Sequence, residues 1–224
     1  MSDKIAPFPN LRSGGEQLAR LLRERDFDEY LVVAIVTAGV PVAFEVAKSL
    51  EAPLDLVLLR PLIERSPGIQ VCAANVCGHL VLDHRLPPRA HKPQKPFDYF
   101  MEDALNALTQ RVEVCRGRRS PMALAGRKVL LVDCGIRTSL TMAAAIRAVR
   151  TLSPKSITAA VPVTSAEGRS IVEALADEFI CVATPEPFGN AAMWYRDFSR
   201  PADDLIDQLL ISANGETKSA TDNG

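Results

Sequence analysis

The sequence has little of what marks membrane, secreted or nucleic-acid-binding proteins. No apolar run approaches the length needed to span a bilayer, and the first residues, MSDKIAPFPN, lack the apolar centre of a signal peptide. The formal net charge of −1 gives no overall attraction to nucleic acid or to anionic lipid. The five cysteines have no framework spacing, which favours reduced thiols. These absences predict a soluble, cytoplasmic protein with no membrane partner and argue against nucleic acid as a partner.

The length and composition predict a single domain followed by a short tail. The chain has 224 residues, of which 47% are hydrophobic and 24% charged, so it can bury one sizeable core. We predict that this domain covers residues 1–211. Residues 212–224 read SANGETKSATDNG and are small and polar, which predicts a disordered tail.

Strand patterns alternate with helical patterns along most of the chain. Between the strands, segments such as GVPVAFEVAKSL repeat apolar residues at helical spacing. Such an alternation is typical of an open sheet covered by helices on both faces. We therefore predict an α/β fold with a doubly wound, mostly parallel sheet. The β-branched, apolar runs that predict its strands lie at residues 31–37, 55–62, 128–133, 156–163 and 179–184.

Residues 64–127 interrupt this alternation. QVCAANVC and HLVLD predict a two-strand hairpin, RLPPRAHKPQKP excludes regular structure, and a helix is predicted from about 98 to 115. Because ligands of such sheets bind at the carboxyl ends of the strands, the segment is a candidate lid that is flexible. Its basic clusters, at 89–95 and at Arg116, Arg118 and Arg119, either reach a bound anion or form a solvated face. An apolar face on the predicted helix favours a homodimer.

Cys72, Cys77, His79 and His84 are close in sequence and have side chains that bind zinc. Their spacing matches no known zinc knuckle, and alternation within a hairpin explains three of them. We therefore predict no protein-held metal here.

The stretch DCGIRTSLT, residues 133–141, has the layout of a phosphate site. An apolar strand stops at Asp133, a glycine opens a turn, and a helical pattern follows. Free amides at a helix start, together with the hydroxyls of Thr138, Ser139 and Thr141, can hold a phosphate. The alternative is that Thr138 or Ser139 only caps the helix.

Several ordered motifs resemble type I phosphoribosyltransferases, in particular a bacterial branch of that family. VLLVDCGIRTSLTMAAAIRAV resembles the signature for phosphoribosyl pyrophosphate, and VVAIVTAGVPVAFEVAKSLEAPLDLVLLRPL resembles the region of the pyrophosphate loop. CVATPEPFGNAAMWYRDFSRPADDLIDQLL is similar to the carboxyl-terminal segment of the same branch. The resemblance covers most of residues 8–211.

The resemblance implies a fold, a reaction and a site. It implies a C-terminal hood over the sheet and transfer of phosphoribosyl from phosphoribosyl pyrophosphate, bound with Mg²⁺, to a nitrogen nucleophile. Asp133 is implied as the catalytic residue that contacts the ribose, and Phe188 as a hood residue that stacks on the acceptor. The other implied residues are Cys134, Gly135, Ile136, Arg137, Thr138, Ser139, Leu140 and Thr141 for ribose and 5′-phosphate, and Thr37, Ala38, Gly39 and Arg60 for pyrophosphate.

The sequence departs from the family pattern at three ligand-handling places. Cys134 stands where most relatives have a second acid, Ser139 replaces a glycine, and Thr37 and Ala38 replace a cationic, glycine-rich pair. Two functions stay open: a transferase with weakened activity, or an inactive module that senses a nucleotide or another phosphoribosyl compound. The aromatic residues Trp194 and Tyr195 either face the acceptor or pack in the core, and the core is favoured for Trp194.

Overall fold

The structure is a computed structural model. The structure describes residues 8–25, 29–63, 70–76, 79–85, 95–117, 119–136 and 140–215; within them it describes only the backbone of 60–63, 70–73, 79–85 and 95–105.

The described strands form one seven-stranded sheet with the order β4-β3-β2-β1-β5-β6-β7. Strands β2, β1, β5, β6 and β7 are parallel to one another, and β3 and β4 add an antiparallel hairpin next to β2. The prediction of a doubly wound, mostly parallel α/β sheet is confirmed. The strands are β1 (Tyr30–Ile35), β2 (Leu54–Ile63), β3 (Gln70–Val76), β4 (His79–Arg85), β5 (Lys128–Val132), β6 (Ser156–Val163) and β7 (Glu178–Ala183).

Helices cover both faces of the sheet and create two apolar clusters. One cluster contains residues of α1, α2, α3 and α6, and the other contains residues of α4 and α5. Strand β1 serves both clusters because its successive side chains point to opposite faces: Val32 lies in the first and Val33 in the second. The helices are α1 (Leu11–Arg23), α2 (Gly39–Leu50), α3 (Lys95–Arg116), α4 (Leu140–Arg150), α5 (Ala166–Glu173) and α6 (Asp203–Asn214), with a 3₁₀ turn at Ala191–Trp194.

The centre of the sheet is a topological switch point. Strands β1 and β5 are neighbours, but the chain leaves β1 through α2 on one face and β5 through α4 on the other. The two connections diverge and open a crevice at the carboxyl ends of these strands, the usual ligand position in such folds. The residues of this crevice are those that follow Ile35 and Val132.

The described parts of residues 64–127 are built into the sheet and its helical layer. The predicted hairpin is present as β3 and β4, and the predicted helix is present as α3, which begins a few residues earlier than expected. The end of α3 belongs to the core, since Leu108, Val112 and Cys115 are buried. The role of this segment as a flexible lid stays a prediction.

The basic residues at the end of α3 lie away from the crevice. Arg116 is buried and forms an ion pair of 2.6 Å with the buried Asp55 near the start of β2, and Arg119 pairs with Asp207 of α6. The other oxygen of Asp55 accepts the backbone N–H of Met122 at 2.9 Å. The expectation that Arg116 and Arg119 reach an anion or form a solvated face is therefore wrong.

Helix α6 is longer than the predicted domain boundary allows. It continues to Asn214, whose side chain accepts the backbone N–H of Leu54 and donates to its carbonyl, both at 2.9 Å. Residues 212–214 are therefore part of the fold rather than of a tail, because their helix clamps the start of β2. Residues 216–224 lie outside the described part of the chain.

Candidate active site

The loops after β1 and β5 meet at the switch point. Gly39, the first residue of α2, packs against the residue that follows β5: a β-carbon built on Gly39 would lie 3.1 Å from Asp133 Cα and 3.2 Å from Asp133 Oδ1. The absence of a side chain at Gly39 thus lets the loop at residues 37–39 approach the carboxylate closely. The structure thus brings the predicted pyrophosphate loop to Asp133, the first residue of the predicted ribose-phosphate segment.

Asp133 carries an ionisable carboxyl group at the base of this crevice. Burial raises its pKa to about 6, against the opposing effect of the Cys134 backbone N–H, which donates to Asp133 Oδ1 at 2.7 Å. A carboxylate in such an environment is a strong hydrogen-bond acceptor for hydroxyl groups. Its ionisation falls just below neutral pH, so small changes in the site can change its charge.

Cys134 belongs to the core. Its side chain is buried within the cluster of α1, α2 and α6, and burial together with the nearby Asp133 raises the pKa of its thiol far above the usual range. The thiol is therefore neutral. Position 134 thus supplies an apolar contact in this chain, and its side chain cannot act as the second carboxylate of the site.

Gly135 lets the turn after Cys134 pass between β6 and the hood, which we define as residues 184–202. Its φ of +155° lies in a region that favours glycine. A β-carbon there would lie 2.9 Å from the Val163 carbonyl oxygen and 3.0 Å from Ala191 Cβ. Ile136 then pairs with Thr164 and is buried, which fixes the direction in which the chain leaves the turn.

The predicted phosphate loop is described only at its ends. Arg137, Thr138 and Ser139 lie outside the described residues. Leu140 and Thr141 are the first described residues of α4 and are exposed. Binding of a phosphate by this loop stays a prediction.

The predicted pyrophosphate loop contains no charged side chain. Thr37 is partly buried, Ala38 is buried, and the peptide bond between Val36 and Thr37 is cis. Arg60 lies on β2, and its side chain is outside the described part of the chain. The role of these residues stays a prediction.

The aromatic residues of the hood pack inward. Phe188 is buried and stacks on Trp194 with ring centroids 6.5 Å apart, and the indole N–H of Trp194 donates to the Phe188 carbonyl at 2.9 Å. Trp194 packs against the core, as favoured from the sequence. In this conformation the Phe188 ring is part of the core, so its predicted stacking on an acceptor requires the hood to move.

Tyr195, for which the sequence leaves the acceptor site and the core as alternatives, packs in the core and contacts the site through the backbone of Cys134. Its hydroxyl donates to the Cys134 carbonyl at 2.5 Å, and its ring is buried against Phe8 and Phe198. Burial raises the pKa of Tyr195, so the hydroxyl keeps its proton. Its position in MWYRDF, directly after a short turn, indicates an aromatic cluster but not this backbone partner.

A cavity of about 410 Å³ lies between the start of α1, α2 and the segment that leads into α6. Its walls include Leu11, Phe44 and Arg200, but Asp133 is not among its lining residues. The positive charge of Arg200 opposes the rise in the pKa of the Cys134 thiol. The polar side chains in the walls of the cavity include Arg12, Asp197 and Ser199.

Metal and membrane features are absent from the described residues. They contain no group of three or more histidine, cysteine, aspartate or glutamate side chains that could hold a metal ion. The zinc alternative concerns side chains outside the described part, those of Cys72, Cys77, His79 and His84. Within the part of the chain that the structure describes, no helix is long and apolar enough to cross a membrane.

Comparison with known proteins finds relatives whose names agree with the resemblance seen in the sequence. The chain is 33% identical over 208 residues to two Mycobacterium tuberculosis proteins, from strains CDC 1551 and H37Rv, whose names provisionally assign them as phosphoribosyl transferases. The match covers 92% of this chain and 47% of each relative, so the chain spans about half the length of these proteins. No protein-family model matches the chain.

Two solved structures resemble the fold over almost their whole length. The protein TT1426 from Thermus thermophilus is 30% identical, with a TM-score of 0.79, and the match covers 93% of this chain and 100% of that one. A hypothetical protein from Neisseria gonorrhoeae, solved with bound ppGpp, has a TM-score of 0.50 at 15% identity, with 90% and 92% of the two chains covered. The second likeness supports the fold alone.

Proposed function

Because the chain belongs to the type I phosphoribosyltransferase family, we propose that it binds the ribose 5-phosphate part of phosphoribosyl pyrophosphate or of a nucleotide and transfers phosphoribosyl to a nitrogen nucleophile. The observation that carries this proposal is the position of the Asp133 carboxylate beside Gly39 at the switch point of the sheet. There it can accept hydrogen bonds from the two ribose hydroxyls.

The remaining contacts follow from the two loops. The amides and hydroxyls at residues 138–141 are proposed to hold the 5′-phosphate at the start of α4, where the helix dipole favours an anion. The loop at Thr37, Ala38 and Gly39 faces the pyrophosphate. In such a site the protein mainly positions the reactants and stabilises charge that develops on the sugar ring.

Mg²⁺ fits this site only together with a ligand. Magnesium prefers oxygen donors, and at this turn the chain offers the Asp133 carboxylate beside a neutral, buried thiol at Cys134. Asp133 and the phosphate oxygens of the ligand are therefore the proposed donors. When bound, the ion supplies neutralisation of the pyrophosphate charge.

The uncharged loop at residues 37–39 leads to a quantitative expectation. Without a cation in this loop, pyrophosphate should add little to affinity, and ribose 5-phosphate should bind nearly as well as phosphoribosyl pyrophosphate. A hundredfold preference for the pyrophosphorylated sugar, about 2.7 kcal/mol, would show that other cations have taken over this role.

A second candidate function is a ligand-sensing module without transfer activity. The buried, neutral Cys134 and the uncharged pyrophosphate loop favour it, because both remove polar contacts that a transferase of this family uses. The ppGpp bound to the Neisseria gonorrhoeae protein suggests guanosine nucleotides as ligands to test.

Calorimetry combined with an activity assay tests both functions. Phosphoribosyl pyrophosphate, ribose 5-phosphate, AMP, GMP, ppGpp and sulfate are titrated with and without Mg²⁺, and pyrophosphate release is followed with a panel of nitrogen bases. Asp133→Asn should abolish binding of the sugar phosphates, whereas Asp204→Asn on the exposed start of α6 should not. Binding without pyrophosphate release supports the sensing module; no binding by the unmodified protein refutes both functions.

A further inference from the structure

The Cys134 carbonyl has a specific partner that no ligand contact explains. Tyr195 donates its hydroxyl to this carbonyl at 2.5 Å inside the core. A buried carbonyl cannot reach water, so the tyrosine hydroxyl supplies its hydrogen bond. Loss of the hydroxyl would leave the carbonyl unsatisfied. The bond therefore contributes directly to the shape of the turn that follows β5.

The position of Tyr195 is fixed from several sides. The backbone N–H of Phe8 donates to the Trp194 carbonyl at 2.7 Å, and the Phe8 carbonyl accepts the N–H of Arg196 at 2.8 Å, so the N-terminal segment, from Phe8 onward, is joined to Tyr195 by a parallel bridge. The rings of Phe8 and Tyr195 are 5.2 Å apart. The tyrosine thus cannot move without moving the N-terminal segment and the hood.

Helix α1 makes room for the tyrosine by means of a glycine. A β-carbon built on Gly14 would lie 2.9 Å from Tyr195 Cε1 and 3.1 Å from its hydroxyl oxygen. Any larger residue at position 14 would push the ring away from the Cys134 carbonyl. Gly14 is helical, so it is needed here for close approach and not for an unusual backbone angle.

The same turn orients the Asp133 carboxylate. The amide of Cys134 donates to Asp133 Oδ1 at 2.7 Å, and the carbonyl of Cys134 accepts from Tyr195. The backbone of Cys134 is thus held at two groups: its amide donates to Asp133, and its carbonyl accepts from Tyr195 of the hood. A rotation of the Cys134 backbone would release both contacts together.

We propose that Tyr195 is a positioning residue, which holds the turn at residues 133–135 in the shape that lets Asp133 bind ribose hydroxyls and couples this turn to the hood. This inference rests on the proposed function for its ligand, whereas the positioning of the turn is a property of the protein alone. Tyr195 touches no reacting atom in this role. It acts through the backbone of Cys134.

Hydrogen exchange on the ligand-free protein tests the positioning itself. The variant Tyr195→Phe keeps the ring and removes the hydroxyl, and Gly14→Ala displaces the ring. Both should increase amide exchange at residues 134–136 about tenfold, while β6 keeps its protection. Ile206→Val, which trims a buried side chain of α6 in the same core cluster, is the control for general loosening.

Ligand titration of the same variants tests the consequence. Tyr195→Phe should weaken binding of ribose 5-phosphate about tenfold and leave binding of inorganic phosphate unchanged, because the phosphate loop begins beyond the anchored turn. Equal weakening of both ligands, or exchange at residues 134–136 no faster than in Ile206→Val, would overturn the inference. If the unmodified protein binds neither ligand, the proposed function fails, and the exchange measurement still decides the role of Tyr195.

Discussion

Replacing Asp133 with asparagine should stabilise the protein at neutral pH while removing its affinity for ribose phosphates. Burial raises the pKa of this carboxyl from 3.8 to about 6 in the folded protein. A folded state that holds a proton more tightly than the unfolded state loses stability when that proton is released. The asparagine side chain of the variant has no proton to release and can still accept the Cys134 N–H through its carbonyl oxygen.

The size of the effect follows from the two pKa values. Their difference of about 2 corresponds to about 3 kcal/mol at most, and relaxation around the charge will reduce it, so we expect a gain of about 1 to 3 kcal/mol. In a chain of this size that corresponds to a rise in Tm of about 3 to 10 °C.

The pH dependence gives the sharper test. Below the ordinary pKa of 3.8 the carboxyl is mostly protonated in both states, so the variant and the unmodified protein should approach equal stability as the pH falls. The advantage of Asp133→Asn should grow between pH 4 and 6 and stay constant above that range. Urea unfolding at several pH values from about 4 to about 8 measures it.

The control is Asp204→Asn at the exposed start of α6. It should change the free energy of unfolding by less than about 0.5 kcal/mol. If the advantage of Asp133→Asn is absent at about pH 7.5, or is the same there as at about pH 4, burial of the Asp133 carboxylate does not cost stability.

Three further substitutions test other features. Cys134→Asp places a carboxylate in the core beside Asp133, so it should lower the free energy of unfolding by about 3 kcal/mol at neutral pH and by less near pH 4, with no gain in ribose 5-phosphate affinity. The control Cys134→Asn should show a loss of stability that is independent of pH. Tighter binding of ribose 5-phosphate by the aspartate variant would contradict this prediction. Arg116→Met should lower the free energy of unfolding in urea by about 3 kcal/mol because it leaves Asp55 buried without its ion pair. The control Arg169→Met, which breaks an exposed ion pair, should lower it by less than about 1 kcal/mol. Equal losses would show that burial does not make the Arg116–Asp55 pair more important for stability. Gly135→Ala should lower the Tm by several degrees through the clash with Val163, and an unchanged Tm would show that the turn can relax freely.

The central part of the fold follows from local patterns. The strands, and the helices that follow β1 and β5, lie where the periodicity of the sequence predicts them. Their alternating order predicts a parallel sheet. The meeting of Gly39 with Asp133 follows as well, because the carboxyl ends of neighbouring parallel strands share one edge.

Residues with non-local partners could not be predicted in the same way. Arg116 stands within a basic run that is typical of a solvated face, and only the packing of α3 on β2 brings it to Asp55. Phe188 and Tyr195 are both aromatic residues of the hood, but their different partners, Trp194 and the Cys134 carbonyl, depend on how that segment folds back. Periodicity contains no information about such pairs.

The bond from Tyr195 to Cys134 separates the geometry of a site from its chemistry. The tyrosine recognises a main-chain carbonyl, which every residue at position 134 would present in the same place. An exchange of the buried side chain at this position therefore changes the packing or charge of the core, but it leaves the partner of Tyr195 in place, so the turn can keep its path and Asp133 its orientation. Substitutions at position 134 and at Tyr195 thus test different properties: the first tests how the core accepts a new side chain beside Asp133, and the second tests the path of the backbone.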